Sequence, residues 1–577
     1  MTIANKQIIR SPLPDTFTGL PDTLHPVLRR AYAIRNLTSQ QDLDLGLGGM
    51  LPPAELGGTE AAAELLFKTL DRGGRILIVA DFDADGATSC ALAVRALKAM
   101  GAKVVDYLVP NRFEYGYGLT PEIVVEAMKR EPNLLVTVDN GISSVEGVAV
   151  AKAAGMEVLV TDHHLPGRQL PAADVIVNPN AQGETFSSKN LAGVGVIFYV
   201  IVVLRALLRR NGWFERQQLK EPNLADYLDL VALGTVADVV PLDHNNRILV
   251  HQGLQRIRSG ESCAGIKALF ERAGRNPEQV AASDLGFAIG PRLNAAGRLD
   301  DMSLGIESLL CDDSGTAYSL ARELDELNSE RRTIENEMKQ QATELLRHLS
   351  LEGDLPFGLV LYQTEWHQGV VGILAARIKE RYHRPVIAFA LAESGVIKGS
   401  ARSIPGLHIR DTLDAVATGN PGLLEKFGGH AMAAGLTIAL DSLDEFSKQF
   451  DSEVRKRIDS EALKERICSD GGLAAGDLTM DLAQQLRAGG PWGQGFPEPL
   501  FDGWFKIIKQ RVVGERHLKL VLQPEEGGVL LDAIAFNQAE IPSALERDKI
   551  HAAYRLDINE FRGARNLQLI IEHLDSR

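Results

Sequence analysis

Cysteine is scarce in this chain. Cys90, Cys263, Cys311 and Cys468 are the only four in 577 residues, they lie far apart, and no CxxC pair occurs. That argues against zinc ribbons and disulfide frameworks and fits a reducing cytoplasm. Long apolar runs are missing too. The most apolar stretch, Gly195–Leu208, is interrupted or bounded by Arg205, Arg209 and Arg210. It is shorter than the ~20 residues a membrane span needs, so it reads as a buried helix. The opening MTIANKQIIRSPLPDT has no apolar core before a small-residue cleavage site and does not read as a secretory signal. Positive charge is in deficit, with a formal net charge of −15. Nucleic-acid binders are often basic. Acidic metal ligands, however, are neutralised by the cations they hold, and a phosphate-facing surface need be positive only locally. No Ser or Cys catalytic triad stands out.

At 45% hydrophobic and 24% charged residues, the composition leaves no room for wholesale disorder or collagen. The chain is too long for one core, and ~150 residues per domain predicts three to five domains. Residues 1–50 read as a small, partly helical lead-in closed by Leu51-Pro52-Pro53. RILIVAD (75–81), LLVTVD (134–139), EVLVTD (157–162) and DVIVNP (174–179) are apolar runs of the kind buried in parallel sheets, with helical segments such as Ala87–Met100 between them. This rhythm predicts a doubly wound parallel sheet over residues 51–312, with ligands at the carboxyl ends of its strands. From about 316 to 350, Leu320, Leu324, Leu327, Ile334, Met338 and Leu345 follow a 3–4 spacing, with Arg331 and Gln341 at the two remaining seam positions. One long, largely exposed helix joining two lobes is expected over 313–352. A coiled-coil dimer competes, weakened by the polar breaks. A smaller α/β unit is expected over 353–465, with strands FGLVLY and PVIAFAL around a helix at Val370–Arg381. Over the last hundred or so residues, taken as a unit at 466–577, the helical rhythm is lost. WFKIIKQRVVGERHLKLVLQP and YRLDINEFRGARNLQLIIEHL predict a small β-barrel.

The polar residues gather at the predicted strand ends. Asp81-Phe82-Asp83-Ala84-Asp85-Gly86 places three carboxylates at alternate positions after a strand, where bound hard cations would relieve their repulsion. A solvated acidic turn is the plainer reading. An EF-hand lacks its glutamate, since Ala93 stands there. Asp139, in Val138-Asp139-Asn140-Gly141, ends the second strand. His163 and His164 follow Asp162 at the end of the third, a notable pair among only 13 histidines. Imidazole suits transition metals such as manganese, and Mg²⁺ prefers oxygen. Asp238 lies in the apolar stretch Gly234–Pro241, where an unpaired buried carboxylate is costly.

Together, in this order, these motifs resemble the DHH phosphoesterase superfamily, and in particular its single-strand-specific DNA exonucleases. The likeness extends through NRFEYGYGL (111–119), NPN (178–180), LAGVGV (191–196), GPRLNAAGRLDD (290–301), EWHQGVVGILAARIKERY (365–382), KGSARS (398–403) and FGGHAMAAG (427–435), from about Pro52 to Arg577. The resemblance implies a DHH domain, a DHH-associated domain and a C-terminal OB-fold. It implies metal ligands at Asp83, Asp85, Asp139, His163 and Asp238, with Asp139 bridging two divalent cations, Mn²⁺ or Mg²⁺. Asp81 and His164 stand as further ligands. Many relatives carry histidine where Val79 stands, which leaves the shell of the first metal open. His164 is an alternative contact to the scissile phosphate, and Asp162 would orient an imidazole. The phosphate grip falls to Arg292, Asn294 and Arg298, to Ser400, Arg402 and Ser403, and to Gly428, Gly429 and His430. The tail would handle single strands, with Trp492, Phe496, Phe501, Trp504, Arg511, Arg516 and Lys519 available. All the implied ligands precede Ser469, so the barrel reads as a separate DNA-binding addition. Its approach segment, Pro491–Phe501, is expected on the second lobe. The resemblance further implies a cytoplasmic, monomeric enzyme that degrades single-stranded DNA from its 5′ end to mononucleotides in repair and recombination. Its expected partners are single-strand-binding protein and a RecQ-type helicase, with no membrane. Two rivals are a DHH enzyme for dinucleotides or pyrophosphate, which would generally lack the barrel and lead-in, and a non-catalytic DNA-binding scaffold, which could lose metal ligands.

Overall fold

The computed structural model describes residues 6–14, 19–111, 115, 118–352, 355–393, 395–514, 516–538, 549–561 and 564–575. Most of NRFEYGYGL, residues 112–114 and 116–117, and the first five residues of the chain lie outside these. Strand β1 (Lys6–Arg10) precedes five parallel strands: β2 (Arg75–Ala80), β3 (Val104–Leu108), β4 (Leu134–Val138), β5 (Glu157–Thr161) and β6 (Val175–Val177). The four apolar runs become β2, β4, β5 and β6, because helices cover both faces and bury every residue of β4. The missed strand, β3, is an edge whose half-exposed VVDYL lacks a continuous apolar signature.

The strand order is β3-β2-β4-β5-β6. The chain therefore winds one way from β2 to β3 and the other way from β4 onward. The reversal opens a crevice between the carboxyl ends of β2 and β4, the usual ligand position in such sheets. Behind the sheet runs the apolar helix Gly193–Arg210, with Val194, Val196, Ile197, Tyr199 and Leu204 fully buried or nearly so.

Helix Ser314–Glu352 joins the lobes, about 60 Å long at ~1.5 Å per residue. Its first half packs on helices Ala264–Arg272 and Gly290–Leu299, its second on helix Val371–Tyr382. The buried line is not the leucine line expected. It runs through Ala317, Ala321, Leu324, Asn328, Arg331, Met338, Ala342 and Leu346, while Leu320, Leu327, Ile334 and Leu345 are only half-buried. Small alanines let the neighbouring helices approach, and Arg331 is tolerated because Glu335, at 2.6 Å, and Asn328 hold it.

The second lobe is a mixed sheet of β7 (Leu359–Tyr362), β8 (Val386–Glu393), β9 (Val396–Arg402), β10 (Lys426–Gly429) and β11 (Ala433–Ala439), in the order β10-β11-β9-β8-β7. Its apolar core is separate from that of the first lobe. Next, β12 (Glu465–Ser469) pairs in parallel with β1, so the lead-in contributes a strand as well as helix Pro26–Ile34. Helical rhythm also survives later than expected. Met480–Ala488 is a helix capped by Thr479, with Leu482, Ala483 and Leu486 buried.

A closed barrel completes the chain, from β13 (Phe501–Val513), β14 (His517–Pro524), β15 (Leu531–Ala535), β16 (Lys549–Phe561) and β17 (Ala564–Asp575). It is not a separate addition: one continuous apolar core runs from the first-lobe helices through Leu482, Leu486 and Phe496 into the barrel. The approach segment packs on the first lobe, not the second. Leu242 N donates to Gln494 O at 2.7 Å, and the Arg247 guanidinium lies 4.2 Å from the Phe496 ring centre. Phe496 and Phe501 are thus core residues, and Trp504 alone of the expected aromatics is well exposed, stacked on His551.

The lead-in locks onto the barrel through Asp502. Burial pushes this carboxyl up, but hydrogen bonds from Arg10, Ser469 and His551 outweigh it and hold the pKa at about 2. A carboxyl depressed on folding stabilises above its unfolded pKa, near 4, and loses that contribution as pH falls through the folded value. Asp502→Asn should therefore cost about 2 kcal/mol at neutral pH. In denaturant titrations the gap from the parent protein should narrow as pH drops from about 4 towards 2; a gap independent of pH would contradict the network.

Candidate active site

The acids are placed by the ends of β2 and β4. Asp83 caps helix Ala84–Ala99, its Oδ1 accepting from Asp85 N at 2.9 Å and Gly86 N at 3.0 Å. Asp81 Oδ1 accepts from Phe82 N at 2.8 Å. Asp85 points the other way and accepts from Gly193 N at 2.6 Å and Val194 N at 2.9 Å, the first N–H groups of the apolar helix. A helix N-terminus favours negative charge. Burial and the nearby Asp83 nevertheless raise the Asp85 pKa to about 7, against those N–H groups.

Asp139 has φ of 61°, a left-handed conformation rarely adopted by a non-glycine residue and often found at functional sites. Gly193 is required beside it, because a Cβ there would stand 2.6 Å from Asp139 Cβ. Asn140 fixes the strand ends, its Nδ2 donating to Val79 O at 3.0 Å and Val138 O at 2.9 Å. Asp238 ends helix Leu228–Ala237, and Val239 after it has φ of 62°.

These residues converge. Potential ligand atoms of Asp81, Asp83 and Asp139, of Asp85, His163 and Asp238, and of Asp139, His163 and His164 form three groups, the atoms of each within 4.8 Å of one another. Asp139 and His163 each belong to two groups, as a bridging position requires. His163 Nε2 lies 3.1 Å from Asp139 Oδ1 and 3.4 Å from Asp238 Oδ2. Burial, then the surrounding aspartates, pushes Asp139 well above the usual carboxylate range. Burial and Asp85 do the same to Asp238. His163 is lowered to about 4 by burial and by His164, so it supplies no countercharge at neutral pH. Carboxylate oxygens with neutral imidazole fit Mg²⁺ and manganese, and divalent charge would remove the repulsion.

Asp162 joins none of the three groups and is hydrogen-bonded to the histidine segment instead. Its buried carboxylate accepts from the backbone N–H of Ile142, His163 and His164 and meets His164 Nδ1 at 2.8 Å. Burial works against charge on His164, but Asp162, with Asp238 and Asp81, raises its pKa to about 9. Two residues of the NPN motif, given no role from sequence, hold the histidine backbone. Asn178 Nδ2 donates to His164 O at 2.9 Å and Asn180 Nδ2 to His163 O at 2.7 Å. A polar turn directly after a buried strand was the only available signal.

The expected phosphate residues separate into groups. Asn294 Oδ1 accepts from Ala84 N at 2.8 Å, which puts it beside the acidic loop. Arg298 Nη1 reaches Gly369 O at 3.2 Å, at the joint between lobes. Arg292 does not offer a phosphate fork: its Nε and Nη2 bind Asp325 at 2.9 and 2.8 Å and its Nη1 binds Ala288 O. Ser403 is likewise committed, its buried hydroxyl donating to Leu407 O at 2.7 Å. Arg402 is different. Its Nη1 donates to Ser400 Oγ and Ala401 O, burial lowers its pKa, and no carboxylate pairs with it among the described residues. The helix Val371–Tyr382 starts beside it. A Cβ on Gly372, in its first turn, would stand 3.0 Å from both Arg402 Nη2 and Ser400 Oγ. A half-buried guanidinium, a hydroxyl and a helix N-terminus are donors of the kind an anion accepts. Gly428 and Gly429 form the β10 end of a hairpin with β11, and His430 N donates to Ala433 O. Burial lowers the His430 pKa, and His164 across the cleft lowers it further. The second lobe thus faces the acids.

Family models match the chain in three stretches: the N-terminal domain of the DHH family over residues 75–235, the DHHA1 domain over 356–456 and the RecJ OB domain over 469–573. Among curated proteins, the single-stranded-DNA-specific exonuclease RecJ of Escherichia coli (strain K12) is 56% identical over 97% of this chain and 97% of its own. The Haemophilus influenzae protein of the same name is 52% identical over 96% of each. Among solved structures, RecJ from Thermus thermophilus in complex with Mn²⁺ is similar at 31% identity and a TM-score of 0.80, over 99% of this chain and 79% of that one. Its complex with Mg²⁺ gives 29% identity and 0.74, over 99% and 78%.

If Asp162 acts only by holding His164, then Asp162→Asn should keep the fold and weaken Mn²⁺ binding by about 10–100-fold, the usual cost of losing a ligand's orienting partner. Isothermal titration of the two proteins decides this, and equal affinities would remove the positioning role.

Proposed function

The chain belongs to the RecJ family of single-stranded-DNA-specific exonucleases, and from that premise we propose how its own residues divide the work. It is a metal-dependent exodeoxyribonuclease of DHH, DHHA1 and OB domains. The observation that carries the mechanism is the meeting of Asp81, Asp83, Asp85, Asp139 and Asp238 with His163 in one crevice. Mn²⁺ or Mg²⁺ is the cofactor, and Asp139 and His163 would each be shared between two sites that hold it.

When bound, a pair of such cations lowers the pKa of an attacking water and stabilises the departing oxygen of a phosphodiester. The chain does the rest. Arg402 and Ser400 hold a phosphate of the strand, supported by the first turn of Val371–Tyr382. His430 and His164 flank it from the two lobes, and Asp162 keeps His164 Nδ1 engaged so that Nε2 faces a ligand or phosphate. Asn294 steadies the acidic loop. Likeness over nearly the whole chain, lead-in and barrel included, favours a polymeric single strand over a dinucleotide. Every motif acid and histidine is present, which favours an enzyme over a scaffold. Attack from the 5′ end, release of 5′-mononucleotides, a monomeric state and a cytoplasmic role in recombination and repair belong to the same reading. So do single-strand-binding protein and a RecQ-type helicase as partners. No helix among the described residues is long and apolar enough to cross a membrane.

Two measurements test the assignment. End-labelled single strands should be degraded only with added Mn²⁺ or Mg²⁺, and activity that persists after exhaustive chelation would refute the metal centre. Arg402→Ala should raise KM about 10–100-fold, since a hydrogen bond to a charged group contributes ~1.5–3 kcal/mol. Arg402→Lys should restore only part, because a point charge does not reproduce a fork. Unchanged KM in the alanine variant would place the phosphate elsewhere.

A further inference from the structure

A cavity of about 450 Å³ lies between the first lobe and the barrel unit. Its volume is typical of a small-molecule site, for which ~300–1,000 Å³ is usual. Val236, Val239 and Val240 line it, while Asp238, between them, turns its carboxylate towards His163. Leu254, Phe287 and Trp492 complete the apolar walls. Phe287 is 80% exposed and Val239 61%, a large apolar surface left to water at the cavity's edge.

The charges around the cavity are nearly all balanced. Arg487 pairs with Asp557 at 2.8 Å, and Arg555 with Glu498 at 2.8 Å. Arg258 is the exception. Its Nε and Nη2 both donate to Val280 O, at 3.0 and 2.7 Å, and no carboxylate pairs with it among the described residues. His251 lines the same wall, its pKa lowered by burial, Arg258 and Arg247. The complementary ligand has a flat apolar body with polar edges and one anionic group.

We propose that this cavity is a nucleotide-binding site distinct from the hydrolytic centre, holding a base against Phe287, Val239 and Trp492 and a phosphate on Arg258. The proposal rests on the nuclease reading only for the source of the nucleotide, which is either a unit of the bound strand or a free 5′-mononucleotide product. A base accepts such walls whatever its identity, because every base has a π-face. The cavity wall and Asp238 belong to one short segment, with Asp238 turned the other way, towards His163.

The test uses the full-length protein with Ser283→Trp, which fills the cavity from an exposed position, and with Arg258→Gln and Arg258→Lys. Affinity for a 20-mer of thymidylate is measured in EDTA by anisotropy, inhibition by added dAMP is measured with Mn²⁺, and hydrolysis of a trinucleotide reports the chemistry. If the strand supplies the nucleotide, Ser283→Trp and Arg258→Gln bind the 20-mer at least tenfold more weakly, Arg258→Lys recovers part of the loss, and the trinucleotide rate is kept. If the product supplies it, the same two variants lose dAMP inhibition by at least tenfold at unchanged 20-mer affinity. Parent-like behaviour in both arms, from variants whose circular dichroism is unchanged, overturns the proposal. A parent protein that cuts no strand would defeat the nuclease reading instead. Its direct binding of dAMP, present in the parent and absent in Ser283→Trp, would still uphold the cavity.

Discussion

Mutual repulsion among buried carboxylates is the constraint around which this molecule is built. Asp81, Asp83, Asp85, Asp139 and Asp238 crowd one crevice, and burial first, then their mutual repulsion, raises the pKa values of Asp85, Asp139 and Asp238. A fold pays for such an arrangement only where something else removes the charge. The surrounding parts serve that end: the helix N-terminus on Asp85, the strained backbone of Asp139 and the bare Cα of Gly193 pressed against it. Each holds an acid where solvation alone would not.

The opposite lobe presents the opposite problem. Arg402 is a half-buried cation with no carboxylate paired to it among the described residues, and the acidic crevice is short of positive charge. A phosphodiester between them, with divalent cations on the acidic side, would satisfy both. The deficit of basic residues in the whole chain is therefore no obstacle to binding DNA. What matters is the placement of a few unpaired guanidinium groups, not the sum.

The sheet was legible in the sequence from short-range rules, which also marked the acids at its strand ends as candidates, while their roles as ligands came from the resemblance. A buried parallel strand must be continuously apolar, as at 134–138, and the acid that ends it must face the crevice. Edge strand β3 was missed because half of it faces water. Arg292 was misassigned because its partner, Asp325, lies 33 positions away on another helix and is met only after folding. Ser403 failed for a related reason, since a hydroxyl in a motif looks the same whether it faces a ligand or closes a turn. The barrel's strands were readable, but not its shared core with the first lobe, because residue pattern shows that a face is apolar and not what it packs on.

That shared core gives the enzyme a fixed gauge. Barrel and first lobe share one apolar core, so the distance from the acids to the barrel is fixed by packing. The second lobe has its own core and is joined to the first chiefly by a single long helix. In such a layout the frame keeps the measure, and any adjustment of the distance between the acids and Arg402 falls to the one helix that joins the two cores.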